Sequence, residues 1–446
     1  MKTFSFRHVL LIAGGIISLA FLAMPAFAQD AEKVHELQRV IEAQQKQMEA
    51  QQKQLDAQRQ LLQDLQKQME SLVKDADTDE SPVAAEKPAA KPEVASTKVP
   101  PPVEKVVTSG GGERVKLAIS GWVNRAVNIV DDGKDTDAYF VDNDNAESRV
   151  RLDGTGKLSD DLTLGSTIEL TIAPNKSGEV NQNNQETGDV FEQRITEATL
   201  DSKRFGKLSL GKGHTASYGS ASQDLSRTDV ISYAEISDTA GGMLFRQKSD
   251  DTLTNVRIVD AFRAWNGLSR KNRLRYDTPS FYGFRLAGSV VSDERYDAAL
   301  YWGGQGYGFK AAGAAAFADP NQDNTGFQYD GSFSLLHEDT GLNLTLSTGL
   351  LERDNQDDPH NVYAKAGWLT RFFDVGKTAF GVDYTRSLNL PTENDDGYSV
   401  GAAAVQQFDE YGTEVFLLYR LHSLDRDVEP DVHDIGVGSF GARVKF

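Results

Sequence analysis

Arginines spaced two residues apart are the clearest chemical pattern in this chain. Arg149 and Arg151 form one pair and Arg273 and Arg275 another, each alternating with apolar residues, and Arg194 stands in a less regular context. Such alternation places side chains on one face of a β-strand. A guanidinium group stays charged and binds carboxylate or phosphate through two parallel hydrogen bonds. These arginines are therefore candidates for recognising anions, although each could equally be an ordinary residue of a water-facing wall.

Groups that would support catalysis or metal binding are sparse. The chain has no cysteine, which excludes disulfides, thiolate nucleophiles and thiolate metal sites. Its seven histidines are scattered, and no H-E-x-x-H motif occurs. We therefore expect no enzyme activity, no cofactor and no metal site.

The balance of charge argues against nucleic acid as a partner. Lys and Arg number 47 and Asp and Glu 66 among 446 residues, so the formal charge is −19, whereas phosphate backbones need a basic surface. Only 39% of the residues are hydrophobic, which is low for a soluble core of this size. The composition indicates either extensive disorder or a fold that does not need an ordinary apolar core.

Residues 1–28 have the pattern of a secretory signal peptide. Lys2 and Arg7 precede an apolar run at 9–21, and Ala26 and Ala28 form a small-x-small cleavage site. The alternative is an uncleaved anchor helix. No later stretch approaches the roughly 20 apolar residues that a membrane-spanning helix needs. If the mature chain lies in a membrane, strands must hold it there.

Residues 29–74 have the heptad pattern of a coiled coil. Apolar residues recur at a and d positions from 34 to 72, and glutamine occupies three consecutive d positions. We expect a periplasmic coiled coil that joins copies of the chain, with a single solvated helix as the alternative. Residues 75–112 are rich in Pro and Ala and end in three glycines, which predicts an extended linker.

From residue 113 to 446 apolar and polar residues alternate with period two. Short turns alternate with longer acidic connections such as 131–147 and 173–190, which is typical of an outer-membrane barrel. We therefore predict an all-β transmembrane barrel of about sixteen antiparallel strands, preceded by the α-helical coiled coil. A soluble all-β protein built of hairpins is the alternative. The predicted strands cover 116–129, 147–157, 162–172, 191–203, 206–213, 270–278, 283–292, 296–303, 307–318, 327–338, 342–353, 361–373, 376–388, 397–408, 411–423 and 434–446.

The last predicted strand carries the most specific pattern. Phe440, Ala442, Val444 and the final residue Phe446 share one face. With the coiled coil, the linker and sixteen strands, the chain resembles the trimeric outer-membrane porins of Gram-negative bacteria, and the DcaP-like porins in particular. The resemblance implies a homotrimer surrounded by lipid and lipopolysaccharide. It also implies that Phe446 is the signal read by the barrel assembly machinery.

The same resemblance implies a pore constriction. In porins the loop at the place of 213–269 folds into the barrel and narrows the channel, with inward arginines facing it. Rings of opposed charge in a narrow pore set its selectivity. Carried over by position, the constriction contains His214, Tyr218, Asp224, Arg227, Asp229, Tyr233, Glu235 and Asp238, opposite Arg149, Arg151, Arg194, Arg273 and Arg275.

These features predict an outer-membrane porin for passive diffusion of small hydrophilic solutes. The arginines favour anions, and the resemblance to DcaP-like porins implies dicarboxylates. One alternative is a general or cation-preferring porin, and another is a structural envelope protein tethered through the coiled coil. We expect the acidic outer loops to be solvated, with divalent cations bridging to lipopolysaccharide as the alternative.

Overall fold

The computed structural model describes residues 105–107, 115–428 and 430–446. The predicted signal peptide, the coiled coil and most of the linker lie outside these residues. No helix in the described part of the chain is long and apolar enough to cross a membrane. The strands are β1 (Lys105–Val107), β2 (Val115–Asp131), β3 (Thr136–Asp142), β4 (Arg149–Lys157), β5 (Leu162–Ile172), β6 (Phe191–Ser202), β7 (Gly206–His214), β8 (Leu244–Arg246), β9 (Leu253–Arg257), β10 (Arg270–Asp277), β11 (Phe284–Val291), β12 (Tyr296–Gly306), β13 (Phe309–Asp319), β14 (Thr325–His337), β15 (Leu342–Arg353), β16 (His360–Phe373), β17 (Gly376–Leu388), β18 (Asp396–Phe408), β19 (Thr413–Asp425) and β20 (Ile435–Lys445).

Within the described residues these strands form a closed antiparallel barrel. Neighbouring strands pair in chain order, and β20 pairs with β2 from Lys445↔Trp122 to Gly436↔Asp131, which closes the sheet. β3 and β4 lie end to end along β2 and act as one barrel strand. β8 and β9 form a separate hairpin inside the long connection after β7. The three-residue β1 pairs only with Leu117–Ile119 of β2 and is not counted as a barrel strand, so sixteen barrel strands remain.

The strand faces are inverted relative to those of a soluble protein. On β15, Leu344 and Leu346 point outward and are each 45% exposed, whereas the intervening Thr345 and Ser347 are 2% and 7% exposed. A barrel with apolar side chains outside and polar side chains inside is suited to lipid around it and water within it. The predicted sixteen-strand barrel is confirmed, and most predicted strand ends agree with the structure within two residues.

The segment 131–147 differs from its prediction as an acidic connection. It contains β3, whose Tyr139 and Val141 point inward and are fully or almost fully buried. The strand was missed because its short apolar stretch is surrounded by aspartates, which are depleted in strands. The outer turn is therefore shorter than predicted, and the barrel strand is interrupted at residues 143–148.

The barrel also contains an apolar core, contrary to the expectation from composition. Inward residues of β18 and β19, such as Val405 and Leu418, pack against apolar residues of the connection after β7, such as Ile231 and Phe262. The connection supplies the apolar surface that the strands alone would lack. Part of the barrel interior is therefore packed like the core of a soluble protein.

Candidate functional site

Three of the predicted arginines converge on one carboxylate of the inner wall. Glu169 of β5 accepts hydrogen bonds from Arg149 at 3.2 Å, from Arg151 at 3.3 Å and from Arg194 at 2.9 Å. Arg194 also forms an ion pair with Glu147. Arg149 and Arg194 are almost fully buried, and Arg151 is partly exposed to the barrel interior. The cluster joins three neighbouring barrel strands through charge-assisted hydrogen bonds.

A β-bulge explains why the sequence around Arg194 alternates poorly. The register between β5 and β6 shifts between Glu169 and Leu170, so Arg194 and Ile195 are both turned inward and buried. An extra residue in one strand re-aims the side chains next to it. The bulge therefore brings Arg194 into the cluster despite the irregular pattern.

The other two predicted arginines lie on β10. Arg273 forms an ion pair with Glu197 and donates to the backbone carbonyl of His214 at 2.9 Å. Arg275 forms a two-point ion pair with Asp277, with distances of 2.8 and 2.7 Å. All five predicted arginines thus have carboxylate partners on the wall. They are not the free positive charges that their spacing suggested.

Arg270, which the sequence reasoning missed, is placed differently. Its guanidinium donates to the Tyr218 hydroxyl at 3.0 Å and lies over that ring at 5.3 Å, while His214 stacks on Tyr218 at 4.3 Å. Within the described residues no carboxylate lies within ion-pair distance of Arg270. It was missed because strict alternation puts it on the outward face with Leu274. Arg270 is the first residue of β10, where the ladder constrains the side chain least.

An acidic group from the connection after β7, here called the inner loop (residues 215–269), faces Arg270. Tyr233 donates to Asp238, and Asn266 donates to Glu235. Burial, and then the charge of Glu235, raise the pKa of Asp238 well above its ordinary value. Burial also raises the pKa of Glu235, against the opposing effects of Asn266 and Arg270. These carboxyl groups therefore hold their protons at higher pH than ordinary acids do.

The remaining predicted residues of the inner loop lie away from this group. Asp224 forms an ion pair with Lys365 of β16. Arg227 is exposed and its nearest polar partner is Gln407, at 3.4 Å. Asp229 lies near Arg443 of β20, whose charge acts on it. The predicted constriction residues are thus split between two sides of the barrel interior.

Acidic wall residues hold both ends of the inner loop against the barrel. Asp297 of β12 accepts a hydrogen bond from the backbone N–H of Ser217 at 2.9 Å. Asp330 of β14 accepts one from the backbone N–H of Gly267 at 3.1 Å. These wall carboxylates place both ends of the loop beside β12 and β14.

The middle of the inner loop is held farther around the barrel. Lys365 of β16 donates to Thr228 at 2.8 Å in addition to its ion pair with Asp224. Asp383 of β17 accepts from the Ser232 hydroxyl at 2.7 Å. The inner loop therefore lies inside the barrel along the wall from β12 to β17. The sequence signal for these anchors was a charged residue at an inward position of a strand.

The sequence GYSVG at 397–401 has the spacing of a serine-hydrolase nucleophile elbow. It lies within the regular strand β18 rather than at a strand-to-helix turn, and Ser399 is fully buried. Arg420 donates to Ser399 at 3.2 Å and binds Asp383 at 2.7 Å. The geometry provides no accessible nucleophile at this position. In the described part of the chain no three acidic or histidine side chains are grouped to hold a metal ion.

The final residue is fixed at the closing seam of the barrel. Phe446 and Gly121 exchange two backbone hydrogen bonds of 3.0 Å. A Cβ atom at Gly121 would lie 2.4 Å from the Arg149 carbonyl oxygen and 2.8 Å from the Phe446 ring, so glycine leaves room for both groups. The ring is half exposed on the outer face of the barrel. Its position is that of a lipid-facing residue rather than a pore residue.

Comparisons with known proteins agree with this architecture. The family model for Gram-negative porins matches residues 89–437. No curated protein matches the sequence. The fold is similar to the outer membrane channel DcaP of Acinetobacter baumannii, with a TM-score of 0.51 and 11% identity over 76% of this chain and 99% of that one. It is similar to the anion-selective porin from Comamonas acidovorans, with a TM-score of 0.50 and 16% identity over 74% of this chain and all of that one. In-vitro folded OmpT of Vibrio cholerae also has a TM-score of 0.50, with 13% identity over 77% of this chain and all of that one.

Proposed function

The chain belongs to the Gram-negative porin family, and from that premise we propose that its outer-membrane channel favours small hydrophilic anions mildly. The family and the fold indicate a channel for solute diffusion rather than an enzyme. The anion-selective porin from Comamonas acidovorans shares the fold, but at 16% identity that likeness says nothing about selectivity. The preference must therefore be argued from the charges of this chain.

Arg270 is the observation that carries the proposal. The arginines around Glu169 are largely neutralised by wall carboxylates. Arg270 donates to the Tyr218 hydroxyl and lies over that ring, and no carboxylate among the described residues is within ion-pair distance of it. The carboxyl groups that face it, Glu235 and Asp238, have raised pKa values because they are buried. Because both acids hold their protons to higher pH than ordinary acids do, they balance the positive charge of Arg270 less well as the pH falls. Charged side chains at a constriction act directly on permeating ions.

We propose dicarboxylates as the preferred solutes, as the resemblance to DcaP-like porins suggests. Arg270 would pair with one of the two carboxylates of such a solute. Flux of succinate into liposomes, compared with a neutral solute of similar size, tests this preference. Equal rates for the two solutes would contradict it and leave a general channel.

A cation-preferring channel is the second candidate, and the acidic outer rim is the observation that favours it. The formal charge of the chain is −19, and the outer turns contain exposed aspartates such as Asp354 and Asp357. These charges concentrate cations at the mouth at low salt. A measured preference for potassium over chloride would select this candidate.

We propose that the protein assembles as a homotrimer. The outward Arg125 on β2 supports the proposal, because it alternates with buried Asn124 and Ala126 and its side chain is 41% exposed. It remains this exposed although it donates to the Pro174 carbonyl at 2.8 Å and lies 3.7 Å from Asp142. Arginine on the lipid face of a barrel costs about 2–4 kcal/mol near the bilayer midplane. Cover from a neighbouring protomer would remove that cost. Native mass spectrometry in mild detergent tests the assembly, and a monomer would contradict it.

A further inference from the structure

A buried polar patch lies behind the inner loop on the barrel wall. It consists of Thr385 and Ser387 on β17 and His422 on β19, and each is at most 1% exposed. Phe262 of the inner loop covers it, with its ring centre 5.0 Å from that of His422. The patch therefore belongs to the interface between the loop and the wall rather than to the open pore.

The polar atoms of this patch lack protein partners. Among the described residues, no hydrogen bond reaches the hydroxyls of Thr385 and Ser387, either ring nitrogen of His422, or Nε of the adjacent Arg420. A buried polar group left without a partner costs about 1–3 kcal/mol, so several such groups side by side need a common explanation.

The register shows where a ligand could bridge these groups. His422 pairs with Ser399 of β18, which in turn pairs with Thr385 of β17. Thr385 and His422 are thus two strands apart, or about 10 Å between backbones. Only the small side chain of Ser399 stands between them on the inner face. The side chains of Thr385 and His422 are too far apart for a direct hydrogen bond and close enough for small molecules to bridge them.

The charges around the patch point to a neutral ligand. Arg420 and Asp383 form a two-point ion pair with distances of 2.7 and 2.8 Å, and both are fully buried. The next pair along the wall, Lys365 with Asp224, is also balanced. With no net charge to compensate, an ion has no advantage here. Water can both donate and accept, which matches hydroxyl and imidazole groups together.

We propose that ordered water molecules bind at the buried polar patch and link the hydroxyls of β17 to His422. These waters complete the polar contacts beneath Phe262 and so help to seat the inner loop against the wall. The site is separate from Arg270 and the constriction, and it does not depend on which solutes the channel prefers.

A crystal structure of the purified full chain that resolves ordered solvent tests the proposal directly. We expect solvent peaks within hydrogen-bonding distance of a His422 ring nitrogen and of the Thr385 hydroxyl. Direct pairing of these side chains, or an interface without solvent density, would overturn it.

The Thr385→Val variant adds a test that depends on the sign of a stability change. If a water molecule hydrogen-bonds to the Thr385 hydroxyl, removing the hydroxyl leaves that water without this partner and lowers the thermal unfolding midpoint. If no water binds the hydroxyl, removing it abolishes the cost of burying an unpaired polar group and raises the thermal unfolding midpoint. Thr345→Val is the reference, since its hydroxyl pairs with Ser334 at 2.8 Å and the variant must lower the midpoint in either case. A rise for Thr385→Val beside a fall for Thr345→Val would refute bound water.

Discussion

Replacing Arg270 by Gln is expected to reduce the preference for anions without disturbing the barrel. Gln keeps a polar side chain near Tyr218 but removes the fixed charge, and no carboxylate in the described part of the chain loses an ion-pair partner. A solute that passes about 7 Å from the charge in a water-like pore feels about 0.6 kcal/mol, which screening at 0.1 M salt lowers to about 0.3 kcal/mol. Removing the charge makes this position about 0.3 kcal/mol less favourable for an anion and about 0.3 kcal/mol more favourable for a cation. The anion-to-cation permeability ratio should therefore fall about threefold.

Reversal potentials in a potassium chloride gradient across a planar bilayer measure this ratio. Arg371→Gln is the matched control, because Arg371 is half exposed and its partner Asp409 lies at the short turns on the opposite rim. We expect almost no change for the control. At about 1 M salt the Debye length falls to about 3 Å, so the effect of Arg270→Gln should nearly vanish. An unchanged ratio at low salt, or an equal change in the control, would show that Arg270 does not act at the constriction.

Three further predictions concern other parts of the molecule. Glu169→Gln should raise the anion-to-cation permeability ratio by a similar factor, because this one carboxylate accepts hydrogen bonds from three arginines. A lower ratio from the reversal potential of this variant would contradict the reasoning. Lowering the pH from about 8 to about 5 should strengthen anion preference, since the raised pKa of Asp238 makes it lose its charge early on acidification. Asp238→Asn should weaken that pH dependence, and a wild-type ratio that is flat with pH would contradict the assignment. Deleting Phe446 should lower the amount of barrel in the outer membrane while leaving the conductance of assembled channels unchanged, because its ring and both hydrogen bonds lie at the seam, away from the interior. Normal accumulation of the truncated chain would refute the assembly role.

The strands could be predicted because their signal is local. Each barrel strand such as β15 or β17 shows its two faces within a dozen residues, and turns with glycine or aspartate mark its ends. β3 was not predicted because it has few apolar positions and aspartates surround them. Strict alternation also puts Arg270 on the outward face, so this residue was missed. The first residue of a strand need not follow the alternation of the strand interior.

The inner loop could be located but not folded from the sequence. Its length indicated that it is not a hairpin turn, yet its contacts join residues far apart in the chain. The ion pair between Asp224 and Lys365 spans 141 positions, and no spacing rule connects two such residues. The pairing of Arg149 and Arg194 with Glu169 was hidden for the same reason, since strand register makes these residues neighbours. Arg275 and Asp277, by contrast, are two positions apart on one strand, so their pairing was open to the alternation rule. Charge balance at the constriction is therefore a property of the fold rather than of local pattern.

The wild-type reversal potential tests the central claim most directly. The purified protein is inserted into a planar bilayer with a tenfold gradient of potassium chloride at low ionic strength. A channel whose constriction carries the unbalanced charge of Arg270 should reverse at a potential that shows chloride permeating somewhat faster than potassium. A potential that shows strong preference for potassium, or the absence of conducting channels, would contradict the account.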